Sequence, residues 1–296
     1  MSDEREMRIA TLSAILVDEI FKTLGWDPHG RLRPAGERLF ARPTRWLAEQ
    51  AVEVDERVGA TTLNDGFAVA QHLFAHAPLV EDARRVPRQG PLLIAPRHPG
   101  TVDTFAIISA LSRTDLKLIA GHSPFVAALD NIAEHLIFRH EDTRISRTSV
   151  VRESIRHLEN GGTLFLYPAG RLEPDPAVLP GALESIDSWH RSVELFLRKV
   201  PQTRIVPVAA SHILLPRFVN HPIARNRGTA AQRQRTAEML QILAQVTRRG
   251  QFLLRPRIRF GRAFSHAELS AMHPDGAFAA FQQKARELIG AHIASF

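Results

Sequence analysis

The chain has 296 residues, enough for one large α/β domain or two smaller domains. It contains no cysteine, which excludes disulfides, thiolate nucleophiles and zinc sites with cysteine ligands. The formal net charge is +7, a balance often seen in proteins that bind nucleic acid or an anionic membrane surface. No apolar run approaches the ~18 to 20 residues of a membrane span, and the acidic residues near the start do not fit a signal peptide. We therefore expect the chain to stay in the cytoplasm.

Residues 1–80 are predicted to form a helical region. Apolar residues from Met7 to Leu24 recur at intervals of three to five, which predicts an amphipathic helix. Two more helices are predicted at about 44–57 and 62–77. In the segment 29–46, arginines alternate with large apolar residues, namely Arg31, Arg33, Arg38, Arg42 and Arg45 with Leu32, Leu39, Phe40 and Trp46. Two interpretations stay open: a helical cap on the following domain, or a membrane-docking surface.

From Gly90 onward, predicted strands and helices alternate. The strands are predicted at about 91–96, 116–120, 136–139, 163–167, 204–209 and 252–260. The helices are predicted from Thr101 and at about 124–134, 147–159, 184–199, 229–248 and 275–294. This alternation predicts an α/β fold with a largely parallel central sheet flanked by helices, and with an N-terminal helical extension. We expect a helical region at 1–80 and an α/β domain at 81–296.

The stretch from Gly90 to Asp103 carries the first candidate site. His98 is predicted at the end of a short buried strand and Asp103 in the first turn of the next helix, and sites in open α/β sheets gather at the carboxyl ends of strands. A histidine with a carboxylate on its second ring nitrogen can take a proton from an alcohol. A pair at this spacing also arises by chance, because aspartate is a common capping residue in a first helical turn.

The same stretch resembles the first signature block of the glycerolipid acyltransferases, a family that includes lysophosphatidate acyltransferases. His98 and Asp103 fall on the two invariant positions of its His-x4-Asp motif, and Arg97 stands where asparagine is usual. The stretch 136–139 resembles the second block, in which an apolar strand ends at an arginine, here Arg139. Residues Ile205 to Val208 resemble the fourth block.

The stretch 163–171 resembles the third block, whose usual form is Phe-Pro-Glu-Gly-Thr-Arg. Tyr167, Pro168 and Gly170 align with it, but Ala169 replaces the glutamate and Arg171 stands one place early. Two outcomes are open for the missing carboxylate. Glu173 bends back to supply the charge, or the acceptor lacks a glycerol-phosphate head; we favour the second.

The resemblance implies an O-acyltransferase that moves a fatty acyl group from acyl-CoA or acyl carrier protein to a hydroxyl of a lysophospholipid-like or other lipid. His98 is then the general base and Asp103 its support. Arg139 and Arg171 are expected to bind phosphate, with Gly170 and Arg97 in the same substrate site. Backbone amides at 99–102 or in the 169–170 turn are expected to hold the oxyanion. The expected partners are the acyl thioester, a lipid acceptor and the anionic inner face of the cell membrane, with no nucleic acid, metal or cofactor.

Three alternatives stay open at this point. The same pair of residues suits an acyl-thioester hydrolase that activates water, an acyltransferase with a non-glycerol acceptor, or a catalytically silent lipid-binding membrane protein. A serine-hydrolase elbow, a Walker loop and a dinucleotide fingerprint are all absent from the sequence. The first 80 and the last 60 residues carry no motif that we can assign.

Overall fold

The structure is a computed structural model that describes residues 2–27, 29–139 and 144–296; the side chains of Ser2 and of 144–147 lie outside this description. Within it, the helices are α1 (Ser2–Leu24), α2 (Arg33–Ala60), α3 (Leu63–Phe74), α4 (Thr101–Ser109), α5 (Pro124–Ala127), α6 (Asp130–Ala133), α7 (Arg144–Glu159), α8 (Ser192–Lys199), α9 (Pro216–Val219), α10 (Pro222–Arg225), α11 (Ala230–Thr247), α12 (His266–Met272) and α13 (Ala277–Ile293). Short 3₁₀ helices lie at Ala83–Arg85 and Glu184–Ser188.

The strands of the described chain form one sheet. They are β1 (Leu79–Glu81), β2 (Leu92–Pro96), β3 (Leu116–Gly121), β4 (Leu136–Arg139), β5 (Thr163–Phe165), β6 (Arg204–Ser211) and β7 (Arg257–Phe260). Their order is β1-β7-β6-β2-β5-β3-β4. Every neighbouring pair is parallel except β6 and β7, which are antiparallel. The prediction of an α/β fold with a largely parallel sheet is confirmed.

β2 is the central strand, and it is buried along its whole length. Leu92 and Ile94 face a core formed with α1–α4 and α6, whereas Leu93 and Ala95 face a second core formed with α7, α8, α12 and α13. A parallel strand covered on both faces is apolar at every position, which explains the uninterrupted run in the sequence. His98, two residues after the end of β2, therefore lies at the middle of the carboxyl edge of the sheet.

Several element predictions differ from the structure. The segment 29–46, in which no helix was predicted before residue 44, is mostly the first half of α2. Pro34 lies in the first turn, where a residue without an N–H costs no intrahelical hydrogen bond, and Pro43 is accommodated inside the helix. The predicted helix at 124–134 is two short helices, and that at 184–199 is a 3₁₀ turn followed by α8. The strand predicted at 252–260 is limited to β7, and β1 and α12 were not predicted.

The N-terminal helices pack against the sheet domain. Asp55 of α2 is fully buried, and its carboxylate accepts hydrogen bonds from Ile132 N (2.9 Å) and Asn131 Nδ2 (3.1 Å) of α6 and from Arg8 Nη2 (2.8 Å) of α1. β1 spans the expected boundary at residue 80 and joins the sheet beside β7. None of the helices in the described chain is both long and apolar enough to cross a membrane.

Candidate active site

His98 and Asp103 meet across the turn between β2 and α4. His98 Nδ1 lies 3.1 and 3.2 Å from the two carboxylate oxygens of Asp103. Asp103 is fully buried, and its Oδ2 also accepts the Gly100 N–H at 2.9 Å, at the start of α4. One carboxylate therefore caps the helix and orients the imidazole. With Nδ1 turned to Asp103, Nε2 is the ring nitrogen left for a substrate.

Tyr167, which follows β5, completes this arrangement. Its hydroxyl donates to Asp103 Oδ1 at 2.5 Å and lies 2.6 Å from Thr104 Oγ1. Its ring stacks on the His98 imidazole, with centroids 3.8 Å apart and an angle of 19° between the planes. The sequence comparison aligned Tyr167 with the third block but assigned it no contact with the pair. The one available signal was that this is the only tyrosine in the chain.

Glu173 does bend back to the His98 turn, but its carboxylate oxygens accept hydrogen bonds from other groups of the protein. Oε2 accepts the His98 N–H at 3.0 Å, while Oε1 accepts from Ser185 Oγ and Trp189 Nε1, both at 2.9 Å. The Glu173 N–H donates to His98 O at 2.7 Å, and the side chain is 1% exposed. Glu173 therefore fixes the backbone of the base and leaves no free carboxylate in the turn.

Arg97 lies behind the turn and is fully buried. Its Nη2 donates to Pro174 O at 2.7 Å, and its Nε and Nη1 have no partner among the described residues. Burial lowers the pKa of this guanidinium, although the carboxylates of Glu173 and Asp175 oppose the effect. Arg97 does not line the cavity described below, so the structure gives it no path to a substrate.

α11 also contributes to the turn, from a part of the chain in which the sequence showed no motif. Gln234 Nε2 donates to Pro99 O at 2.8 Å, and Glu238 Oε1 accepts the N–H of Thr101, the first residue of α4. Both side chains are buried. A polar residue on a helix is ordinarily exposed, so no sequence pattern predicted that these two residues lie in the site.

The surroundings of His98 favour its protonated form. Burial lowers the pKa of the imidazole, but the charge and hydrogen bond of Asp103, together with the charges of Glu238 and Glu173, outweigh burial and raise it above its ordinary value. Burial and the nearby Asp103 charge hold the pKa of Tyr167 well above its usual range. The phenol therefore remains a donor to Asp103 at any working pH.

His98 lines a cavity of about 1180 Å³ that opens at the carboxyl edge of the sheet. Most of the lining is apolar and comes from α1–α3, α5, α6 and the neighbouring strands, including Leu16, Leu47, Ala51, Val54, Phe67, Phe125, Val126, Leu129 and Leu136. The lining also includes Arg139, Gly170 and Arg171. The exposed guanidinium groups of both arginines make no ion pair with any residue that the structure describes. Residues of three separate sequence blocks thus line one largely apolar cavity.

Some of the amides expected to bind an oxyanion are already used. The N–H groups of Gly100 and Thr101 donate to Asp103 and Glu238, and the N–H of Gly170 donates to Tyr167 O at 3.0 Å. The expectation that these three amides hold the oxyanion is therefore wrong for this conformation. Gly170 has a φ of 61°, so its role is to allow the turn that exposes Arg171.

The similarity of this chain to known proteins is remote. The sequence matches no protein-family model and no curated protein. One similar solved structure is the 1-acyl-sn-glycerophosphate (LPA) acyltransferase PlsC from Thermotoga maritima, with 13% sequence identity, 99% of this chain and 98% of that chain covered, and a TM-score of 0.45. PlsC belongs to the class of enzymes that the sequence blocks resemble. A likeness this remote assigns no residue or substrate to this chain.

Proposed function

We propose that the protein is an acyltransferase that moves a fatty acyl group from an acyl thioester to a hydroxyl of a lipid acceptor. The observation that carries the proposal is the position of His98, a base with an orienting carboxylate, in the wall of a large and mostly apolar cavity. The volume of about 1180 Å³ is above the usual range of about 300 to 1,000 Å³ for small-molecule pockets. An extended acyl chain fits both its size and its lining.

The reaction follows from the orientation of His98. Nε2 takes the proton of the acceptor hydroxyl as the oxygen attacks the thioester carbonyl, while Asp103 holds Nδ1–H and stabilises the imidazolium. The new C–O bond gives a tetrahedral intermediate. The C–S bond then breaks, and the imidazolium returns its proton to the leaving thiolate. No acyl-enzyme is required, which agrees with a chain that has no cysteine.

Arg139 and Arg171 are proposed to bind an anionic group on the acceptor or on the acyl donor. Both line the same cavity as His98, and both guanidinium groups are exposed. A guanidinium binds phosphate through two parallel hydrogen bonds and keeps its charge at any working pH. An anion held at this rim would leave the attached chain directed into the apolar part.

We further propose that lysophosphatidate is a poor acceptor compared with another hydroxyl-bearing lipid. Ala169 offers no carboxylate, and the carboxylate of Glu173 is filled by three protein donors. The acceptor-binding turn therefore differs in charge from the usual form of the third block. Whether the acyl donor is acyl-CoA or acyl carrier protein is a choice that the same assay resolves.

The proposal is tested with a panel of lysolipid acceptors, including lysophosphatidate and a lyso-ornithine lipid. Each is incubated with palmitoyl-CoA or palmitoyl-acyl carrier protein, and products are identified by mass spectrometry. We expect an acyl ester of at least one acceptor. Release of free palmitate at the same rate with and without every acceptor would instead identify a thioesterase. Absence of any turnover, with lipid binding retained, would identify a silent lipid-binding protein.

A further inference from the structure

α11 presents a polar stripe, not an apolar one, to the interior of the protein. Gln234, Glu238, Gln241 and Gln245 are spaced four, three and four residues apart and therefore share one face of the helix. All four are nearly inaccessible, with exposed fractions of 4%, 8%, 1% and 4%. The face that a helix buries is ordinarily its apolar stripe, so each of these residues needs a reason for its position.

The three glutamines bind backbone groups of neighbouring segments. Gln234 donates to Pro99 O (2.8 Å) and Glu173 O (2.7 Å); Gln241 accepts from Leu215 N (2.8 Å) and donates to Ile213 O (3.0 Å); and Gln245 donates to Phe74 O and Phe252 O (both 2.8 Å). A neutral amide group is sufficient to form these hydrogen bonds. The stripe as a whole ties loops at the carboxyl edge of the sheet to one helix.

Glu238 is the one charged member of the stripe. Its Oε1 accepts the N–H of Thr101, and a Cβ at Gly100 would lie only 2.7 Å from the same oxygen. A glutamine could accept that hydrogen bond through its amide oxygen, so the bond does not explain the charge. Burial raises the pKa of Glu238, which means that ionisation costs stability here. A structural role alone would be served better by glutamine.

The charge lies near the proposed base, because the Thr101 N–H that Glu238 accepts belongs to the turn that begins at His98, three residues earlier in the chain. The groups that face His98 are Asp103 from α4, Tyr167 and Glu173 from the chain after β5, and Glu238 from α11. The charge of Glu238 acts on the imidazole in the same direction as that of Asp103. His98 and Asp103 are in turn the charged groups that act on Glu238.

We propose that Glu238 is a positioning residue of the active site, whose carboxylate holds the N-terminus of α4 and whose negative charge supports the imidazolium that His98 becomes on accepting a proton. Asp103 alone shares its charge among several donors, so a second carboxylate adds to the stabilisation of the cation. This inference deepens the proposed function and rests on it for the identity of the reaction. The electrostatic effect on His98 is a separate property that can be measured without turnover.

Glu238→Gln tests the proposal because it keeps the acceptor for Thr101 N–H and removes only the charge. In an NMR titration of histidine-labelled protein, with His98 assigned by its loss in His98→Asn, we expect the His98 pKa to fall. The acid limb of the kcat/KM profile should move to lower pH, and kcat should fall about 10-fold, the order of effect of one nearby charge in a partly buried site. Stability at neutral pH should stay equal or rise.

Two further variants keep the test decisive. Glu238→Asp retains the charge and is expected to keep the His98 pKa close to that of the wild type. Gln241→Ala removes a neighbouring member of the stripe and should lower stability with no change in the His98 pKa. An unchanged His98 pKa in Glu238→Gln would overturn the inference. A wild type that transfers no acyl group, yet shows the pKa change, would refute the proposed function and leave the electrostatic role of Glu238 standing.

Discussion

The buried carboxylate of Asp103 accepts hydrogen bonds from four donors, which are His98 Nδ1–H, the Tyr167 hydroxyl, the Gly100 N–H and, at 3.3 Å, the Thr104 hydroxyl. The contact with Tyr167 is the shortest of the four at 2.5 Å, and short O–H···O⁻ bonds to an ionised group are among the stronger hydrogen bonds in proteins. Each hydrogen bond to the carboxylate reduces the stabilisation that its negative charge gives to the protonated imidazole. Tyr167 therefore moderates the base while its ring holds the imidazole plane.

Tyr167→Phe removes this donor and keeps the stacked ring. We expect Asp103 to act more strongly on His98, which raises the pKa of the imidazole further and moves the acid limb of the kcat/KM profile to higher pH. The direction is opposite to that expected for Glu238→Gln. The pH dependence of initial rates measures it, with circular dichroism as the control for folding. A profile that stays in place, or moves to lower pH, would show that the hydroxyl does not moderate Asp103.

The residues that sequence reasoning brought to the site share a local feature. His98, Arg139 and Arg171 each follow or end an apolar strand, and the carboxyl ends of parallel strands meet at one edge, so their convergence was predictable. Tyr167 also follows a strand and Glu238 lies within a helix, but neither residue type at such a position predicts a place in the site. An aromatic residue after a strand suggests only packing, and a glutamate within a helix suggests a solvated face. Their roles depend on contacts between segments far apart in the chain.

Helix α2 shows what hydrophobic periodicity predicts about an element and what it does not. One of the two interpretations of the segment 29–46 placed its arginines together with Phe40 and Trp46 on one docking surface. Phe40 is buried beside Trp26, with ring centroids 6.3 Å apart. The guanidinium of Arg249 lies over the Trp46 ring, with its Cζ 5.0 Å from the ring centroid. The aromatic half of the predicted surface therefore faces inward. The hydrophobic pattern predicted part of the helix correctly but not which residues it would bury.

The outward face of α2 and the turn before it still combines basic and apolar groups. Leu32 and Leu39 are 58% and 67% exposed, and they alternate with exposed arginines at 31, 38 and 42 that make no ion pair within the described chain. Such a face suits the interface of an anionic membrane. We propose on this basis that the protein binds membranes peripherally through this face, with its substrates drawn from the lipid.

Liposome flotation tests the membrane proposal. We expect binding to anionic vesicles but not to neutral ones, with a loss of binding at high salt. Each basic residue near an anionic surface contributes about 1 kcal/mol, so reversing two charges in Arg38→Glu/Arg42→Glu should weaken binding by more than about tenfold.

The control is Arg152→Glu/Arg156→Glu, a pair with the same helical spacing on α7. It should bind as the wild type does. Equal losses in the two double variants would mean that net charge, and not this face of α2, governs binding.

Helix α13 packs on β6 and covers the core formed with α7, α8 and α12. His292 of α13 is 1% exposed, and its Nε2 lies 2.8 Å from Ser211 Oγ at the end of β6. Burial, with the charges of Arg257 and Arg259, lowers the pKa of His292 from 6.5 to about 4. The folded state therefore holds this imidazole neutral at pH values at which the unfolded chain protonates it.

This difference gives stability a defined pH dependence. The pKa of His292 is lower in the folded state than in the unfolded state. Its contribution to stability is therefore fully present above about pH 6.5 and is lost as the pH falls towards 4. A shift of that size corresponds to a loss of about 3 kcal/mol. Urea unfolding at pH 7 and pH 4.5 should show a smaller loss in His292→Gln than in the wild type. The exposed His29, replaced by glutamine, serves as the control, and identical losses in wild type and His292→Gln would exclude His292 as the cause.

The apolar cavity is also a property of the whole molecule, and the sequence did not locate it. Its lining comes from α1–α3, α5, α6 and the strands, so it exists only once the N-terminal helices have packed on the sheet. The separate apolar residues that line it are indistinguishable in the sequence from those that fill the cores. The chemistry of the site was thus predictable from local motifs, whereas the space for a substrate depended on how distant elements pack.

The proposed mechanism is tested by the rate of acyl transfer by His98→Ala and Asp103→Asn, measured from pH 5 to 9 with the best acceptor from the lysolipid panel. Both variants must first be shown to fold by circular dichroism. We expect His98→Ala to lose ~10²- to 10⁴-fold in rate, the usual contribution of a general base, and Asp103→Asn to lose much of the same factor. The residual activity of Asp103→Asn should show its acid limb at lower pH, because the carboxylate that raises the pKa of His98 is gone. If both folded variants keep more than about half of the wild-type rate, His98 is not the base and the proposed mechanism is wrong.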